Sequence, residues 1–104
     1  MTEVRKISTL AELTEIMTYN DRVVVDLSAP SWCVPCQRLA PHFSKAAEKS
    51  TAVFVEIDVE KADKAILDTY PTQSVPTVLY FQKGYETVTL TGRTSLKLLK
   101  EIGE

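Results

Sequence analysis

Arg22-Val23-Val24-Val25-Asp26-Leu27, followed at a short distance by Trp32-Cys33-Val34-Pro35-Cys36, is the stretch that decides how this chain is read. The first run is almost continuously apolar, the pattern of a strand covered on both faces. The second holds both cysteines of the chain, with two residues between them. In an intracellular protein, a Cys-x-x-Cys that follows a strand and opens a helix reads as a dithiol–disulfide redox site. The reason is charge: Cys33 falls at a predicted helix N-terminus, where unpaired N–H groups and the macrodipole favour a thiolate. Cys36 lies three residues on, on the same helix face and within bridging reach. Pro35 suits the first turn, where its missing N–H costs little.

Outward from this stretch the elements alternate. Towards the N-terminus, Val4 to Ile7 is a short strand. Thr9 and Glu12 form a capping-box pair opening a helix to Tyr19 with Leu10, Leu13, Ile16 and Met17 on one face. Asn20-Asp21 is a turn. Towards the C-terminus, Cys33 to Lys49 is helical with Leu39, Phe43, Ala46 and Ala47 apolar, and Pro41 inside it is expected to kink or break it. Ala52 to Val59 alternates as a strand, with Val53, Val55, Ile57 and Val59 on one side. Lys61 to Tyr70 is a short helix carrying Ala62, Ala65 and Ile66. Thr77 to Phe81 and Thr87 to Thr91 are strands joined as a hairpin around Lys83-Gly84. Thr94 or Ser95 caps a last helix bearing Leu96, Leu99 and Ile102. The order β-α-β-α-β-α-β-β-α predicts an α/β fold, a mixed five-stranded sheet flanked by four helices with an antiparallel edge from the closing hairpin.

At 104 residues, the chain is expected to form a single domain over residues 1–104. Its 44% apolar and 25% charged residues are ordinary for a globular protein. A net charge of −2 and the lack of a basic block argue against nucleic acid or an anionic membrane as the main partner. The polar start Met1-Thr2-Glu3-Val4-Arg5-Lys6 lacks the apolar core of a signal peptide, and no stretch approaches a membrane span. A cytoplasmic location follows as the expectation, and there two close cysteines read as reactive rather than structural.

With these features in place the chain resembles the thioredoxin family along nearly its whole length. Val23-Val24-Val25-Asp26 resembles that family's central strand with its buried acid. Ala29, Pro30, Trp32 and Cys33-Val34-Pro35-Cys36 resemble its active-site turn, and Pro41 stands at its helix-kink position. Val75-Pro76-Thr77 resembles its cis-proline loop, and Gly84 and Gly92 its two late glycines. The chain departs from the family in three places. Val34-Pro35 replaces the commonest Gly-Pro, one extra residue lies within Ser28-Ala29-Pro30-Ser31, and Glu56 stands where many bacterial members carry a lysine. These departures bear on the redox potential, the substrate preference and the placing of Asp26.

The resemblance implies a thioredoxin fold and a thiol–disulfide oxidoreductase that reduces protein disulfides. Cys33 would attack as the thiolate, Cys36 would resolve the mixed disulfide, and Asp26 would accept the Cys36 proton, its pKa raised by burial. The competing readings are a buried, inert cysteine pair and, for Asp26, a strand-end carboxylate open to water. Trp32 would flank an exposed Cys33 sulfur or else sit in the core. Pro76 would be cis, setting the Val75 backbone beside the dithiol to pair with an extended substrate, or an ordinary strand-start proline. Thr77 shares that loop. Gly92 would admit a substrate backbone or serve a turn, and Thr91 and Arg93 would touch substrate or form a solvated rim.

Val34 adds β-branched bulk between the thiols and, with Pro35, shapes the contact surface; it is expected to shift the redox potential. His42, the only histidine, reads as surface, and two cysteines with one histidine fall short of a four-ligand zinc site. Three glycines build no nucleotide loop, so the Cys33–Cys36 disulfide is the only redox group expected, with no bound cofactor. Electrons would come from a thioredoxin reductase or a glutaredoxin-like donor, and the chain is expected to be a monomer. Two other functions stay open: a disulfide exchange or isomerase-type member with a raised potential, and a non-catalytic thioredoxin-fold binding subunit.

Overall fold

In the computed structural model, which describes residues 3–104, the apolar run becomes β2 (Arg22–Ser28), the middle strand of a five-stranded sheet. β2 pairs in parallel with β3 (Val53–Asp58) and antiparallel with β4 (Thr77–Gln82). β1 (Arg5–Ile7) lies parallel beside β3, and β5 (Tyr85–Leu90) antiparallel beside β4, giving the order β1-β3-β2-β4-β5. Side chains on a strand alternate between faces, and β2 divides accordingly. Val24 joins Phe54 and Tyr80 under α2 (Val34–Lys49) and α4 (Ser95–Glu101). Val23, Val25 and Leu27 join Leu13, Ile16 and Ile66 under α1 (Leu10–Tyr19) and α3 (Lys64–Thr69). Asp26 shares the parity of Val24 and so belongs to the α2 and α4 face.

Local chemistry fixes most boundaries where the sequence placed them. Thr9 and Glu12 make the full capping box of α1. Lys83 and Gly84 both have positive φ, 53° and 84°, the backbone of a tight two-residue hairpin turn. β5 begins at Tyr85 rather than Thr87 and ends before Thr91, and its register slips once, so that Tyr80 faces Val88 but Phe81 faces Glu86. Thr87 is the extra residue, and its hydroxyl donates to the Tyr80 carbonyl at 3.0 Å.

Two expectations are corrected, and of the kink or break expected at Pro41 the break is excluded, since α2 runs through it. A proline inside a helix costs roughly 3 kcal/mol, but Leu39 and Phe43 on the same helix are buried, and burial of each contributes roughly 1.5–3 kcal/mol. α3 is shorter than 61–70, because the Asp63 side chain accepts the Ile66 N–H and fixes the start; Ala62 precedes the helix and Ala65 is exposed. On α4, Leu98 and the capping residue Ile102 face the core, Leu99 is half-buried against it and Leu96 is exposed. Leucines at 96, 98 and 99 span more than one helix face, and only one face can be buried.

Opposite the turn that carries the cysteines, Arg22 ties the sheet to the C-terminal segment. It donates to the Tyr80 hydroxyl, the Thr51 hydroxyl and the Ile102 carbonyl, and pairs with Glu104 at 2.8 Å. If α4 is oriented as described, Leu98→Ala lowers unfolding free energy by about 2–5 kcal/mol. Leu96→Ala stays within about 0.5 kcal/mol of the parent. Urea unfolding of the two variants checks this, and equal losses would contradict the orientation.

Candidate active site

β2 ends at Ser28, and the buried Ala29 turns the chain. The Ala29 carbonyl accepts the N–H groups of Trp32, at 3.3 Å, and Cys33, at 2.9 Å. Pro30 and Ser31 are held from both sides, by Ser31 Oγ donating to Glu60 Oε1 at 2.7 Å and Gln37 Nε2 donating to the Pro30 carbonyl at 2.9 Å. This turn delivers Cys33 as the N-cap of α2, with Pro35 in the first turn. The Cys33 sulfur accepts the Cys36 N–H at 3.2 Å. The two cysteines, with Cα atoms 5.2 Å apart, form a disulfide. Helix N-termini leave backbone donors without intrahelical partners, so a thiolate at Cys33 is met by a donor already in place.

Cys33 is only 4% exposed, so the sequence expectation of an open sulfur is corrected. It packs with Ala29, Cys36, Val59 and Val75. Around it the surface is apolar: Trp32 is 60% exposed, Val34 50%, and Pro35 is exposed too. Trp32 is therefore not a core residue. The Val75-Pro76 peptide is cis, as the resemblance implied, and the Val75 carbonyl oxygen lies 3.7 Å from Cys33 Sγ. Thr77 braces this loop, its hydroxyl 2.6 Å from the Ser74 carbonyl and 2.8 Å from the Thr72 hydroxyl. Beside Trp32, Val59, Leu67, Pro71 and Val75 help line an open groove of about 460 Å³.

Asp26 is 1% exposed, which excludes the water-facing reading. Neither carboxyl oxygen has a hydrogen-bond partner among the described residues. Burial, and then the charge of Glu56 directly opposite on β3, push its pKa up to about 7, against a downward pull from Arg93. The group can therefore take up or release a proton near neutrality.

The segment after β5 is set by Glu101 of α4. Its carboxylate accepts the Thr91 N–H at 3.1 Å, the Thr91 hydroxyl at 2.7 Å and the Gly92 N–H at 2.8 Å. Gly92 is buried, and a Cβ there would stand 2.9 Å from Lys97 Cβ and 3.2 Å from the Leu98 nitrogen. The missing side chain thus makes room for α4; no positive φ requires it. Arg93 is exposed. Sequence reasoning missed Glu101, Val59 and Leu67, whose roles depend on packing between distant segments. His42 is half-buried rather than wholly at the surface.

A family model described as Thioredoxin matches residues 5–104. The thioredoxin of Mycoplasmoides gallisepticum is 41% identical over 81 residues, covering 77% of this chain and 79% of that one. The thioredoxin of Mycoplasma pneumoniae is 38% identical over 84 residues, 80% of each chain. Among solved structures, a mutant thioredoxin from Halobacterium salinarum superposes with a TM-score of 0.84 at 31% identity, covering 96% of this chain and 87% of that one. A Plasmodium falciparum thioredoxin structure gives 0.84 at 31% identity, covering 97% and 100%.

The buried carboxyl makes stability depend on pH. Asp26 ionises near 7 in the folded chain, against an ordinary value of 3.8. Between those values the folded state holds a proton that the unfolded state has lost, so stability falls as pH rises through the window. Asp26→Asn removes that loss. In the oxidised form it is expected to be more stable than the parent by roughly 4 kcal/mol at pH 8. The gain shrinks towards zero at pH 3 to 4. Urea titrations at both ends of the range test this; a gain independent of pH would show that Asp26 does not titrate in the window.

Proposed function

The chain belongs to the thioredoxin family, and from that membership we propose how its thiol–disulfide oxidoreductase activity proceeds. The observation that carries the reading is Cys33 capping α2, with its sulfur on the Cys36 N–H and bonded to Cys36. In the reduced protein the Cys33 thiolate attacks one sulfur of a protein disulfide. The substrate S–S bond breaks, a Cys33–substrate disulfide forms, and the departing thiolate takes a proton from solvent. Cys36 then gives its proton to Asp26 and attacks Cys33 Sγ. The Cys33–substrate bond breaks, the second substrate sulfur leaves as a thiolate and takes a proton from solvent, and the Cys33–Cys36 bridge closes. Two electrons have passed from the dithiol to the substrate.

Substrate binding is assigned to the surface around the sulfurs. Trp32, Val34 and Pro35 form its apolar rim. Val75, beside Pro76 and braced through Thr77, offers backbone groups to an extended substrate, as in strand addition. The same reading assigns Thr91 and Gly92 to substrate contact, Gly92 through its backbone. The dithiol needs no bound cofactor. It is restored by a two-electron donor, a thioredoxin reductase or a glutaredoxin-like system. The chain works as a cytoplasmic monomer. Among the described residues no helix is long and apolar enough to cross a membrane.

Reduced Cys36→Ser is expected to accumulate a mixed disulfide with a disulfide-bonded test protein, visible by intact mass, whereas Cys33→Ser forms none. Trapping through Cys36 instead would reverse the two roles. Half-exposed Val34 also favours the reading of a tuned potential. Val34→Gly is expected to move the Cys33–Cys36 potential by about 15 mV or more, where about 30 mV corresponds to about 1.4 kcal/mol. Equilibration against glutathione measures it, and an unchanged potential removes any role for Val34 in tuning.

A further inference from the structure

A second cleft, of about 300 Å³ and sharing no lining residue with the Trp32 groove, lies between α2 and the segment that joins β5 to α4. We propose that this cleft, lined by Pro35, Arg38, Leu39, His42, Arg93 and Thr94, selects protein disulfides that carry acidic side chains beside the reactive bond. The proposal rests on the oxidoreductase reading and names the substrate class of that same site.

Pro35, Arg38, Leu39 and His42 follow the i, i+3, i+4, i+7 spacing, which puts them on one face of α2. The face begins at Pro35, between the two cysteines, so an occupant of the cleft stands against the reacting turn. Leu39 is buried and Pro35 is apolar, giving the cleft an apolar floor. Charge interactions over such a floor are weakened less than in open water.

The lining includes two arginines and no acid. Neither Arg38 nor Arg93 has a hydrogen bond or ion pair among the described residues. Arg22, by contrast, is fully engaged by Tyr80, Thr51, Ile102 and Glu104. The charge of Arg93 also acts on Asp26, but that carboxyl is buried and makes no ion pair with it. The two guanidinium groups are thus free for an incoming carboxylate, which a planar fork grips through two parallel hydrogen bonds. The backbone beneath Arg93 is already fixed, because Glu101 holds the N–H groups of Thr91 and Gly92. Ordering that segment therefore costs little on binding.

Charge complementarity points to an acidic protein segment. The chain as a whole carries −2 and weakly repels acidic partners, so a local cationic cleft decides whether such a partner docks. The groove on the Trp32 side has no charged lining. A substrate at the turn therefore meets an uncharged groove and a cationic cleft.

The test uses the pre-reduced protein and three disulfide peptides, identical except that Glu, Gln or Lys flanks the cysteines. The second-order rate of reduction is expected to be about tenfold higher for the Glu peptide than for the Gln peptide at low salt, two exposed charge pairs supplying that much discrimination. The Lys peptide is slower still, and the differences collapse at high salt. In the double variant Arg38→Gln, Arg93→Gln the Glu-to-Gln ratio falls to near one. A parent ratio near one overturns the proposal, as does a ratio that survives in the double variant. If the parent reduces none of the three peptides, the oxidoreductase reading fails instead.

Discussion

β2 is paired along both edges and covered on both faces, and the active site is built at its C-terminal end. A strand so enclosed cannot shift by one residue without sending its core side chains to the wrong layers. That constraint fixes which way Asp26 points. It also fixes where the chain leaves the sheet, at Ser28 and Ala29, and so where the Ala29 carbonyl can gather the N–H groups of Trp32 and Cys33. The cap of α2 is then set, and with it the sulfur that the Cys36 N–H meets.

The same enclosure opposes ionisation of Asp26. A carboxylate in the middle of a covered sheet has lost its water, and among the described residues it has gained no hydrogen bond in exchange. Such a group destabilises the fold whenever it is charged. That cost falls two strand residues before the turn that holds the thiols. Glu56 and Arg93 act on Asp26 with opposite sign, and Arg93 also lines the outer cleft. The buried acid and the cationic surface are therefore electrostatically linked through one residue.

The surface around the cysteines is asymmetric. Uncharged side chains line the groove beside Trp32, while two arginines, without an ion pair among the described residues, line the cleft at Pro35. Cys33 itself is nearly covered, so a partner must seat closely before sulfur reaches sulfur.

Much of this was legible in the residues. The apolar run of β2 and the spacing of Cys33 and Cys36 determined the strand, the helix and the redox pair, because each follows from local periodicity, helix-end electrostatics and two thiols one helical turn apart. The Thr9–Glu12 capping box and the Lys83-Gly84 turn were equally local. The inward face of α4 was not, since leucines at 96, 98 and 99 fit more than one orientation until the sheet chose Leu98. Nor was the burial of Cys33, which depends on Val59 and Val75 arriving from other segments. Only the tertiary structure decided that Glu101 holds Thr91 and Gly92, and that Arg38 and Arg93 share a cleft. These are meetings of residues far apart in the chain, set by strand order and helix packing rather than by any local pattern.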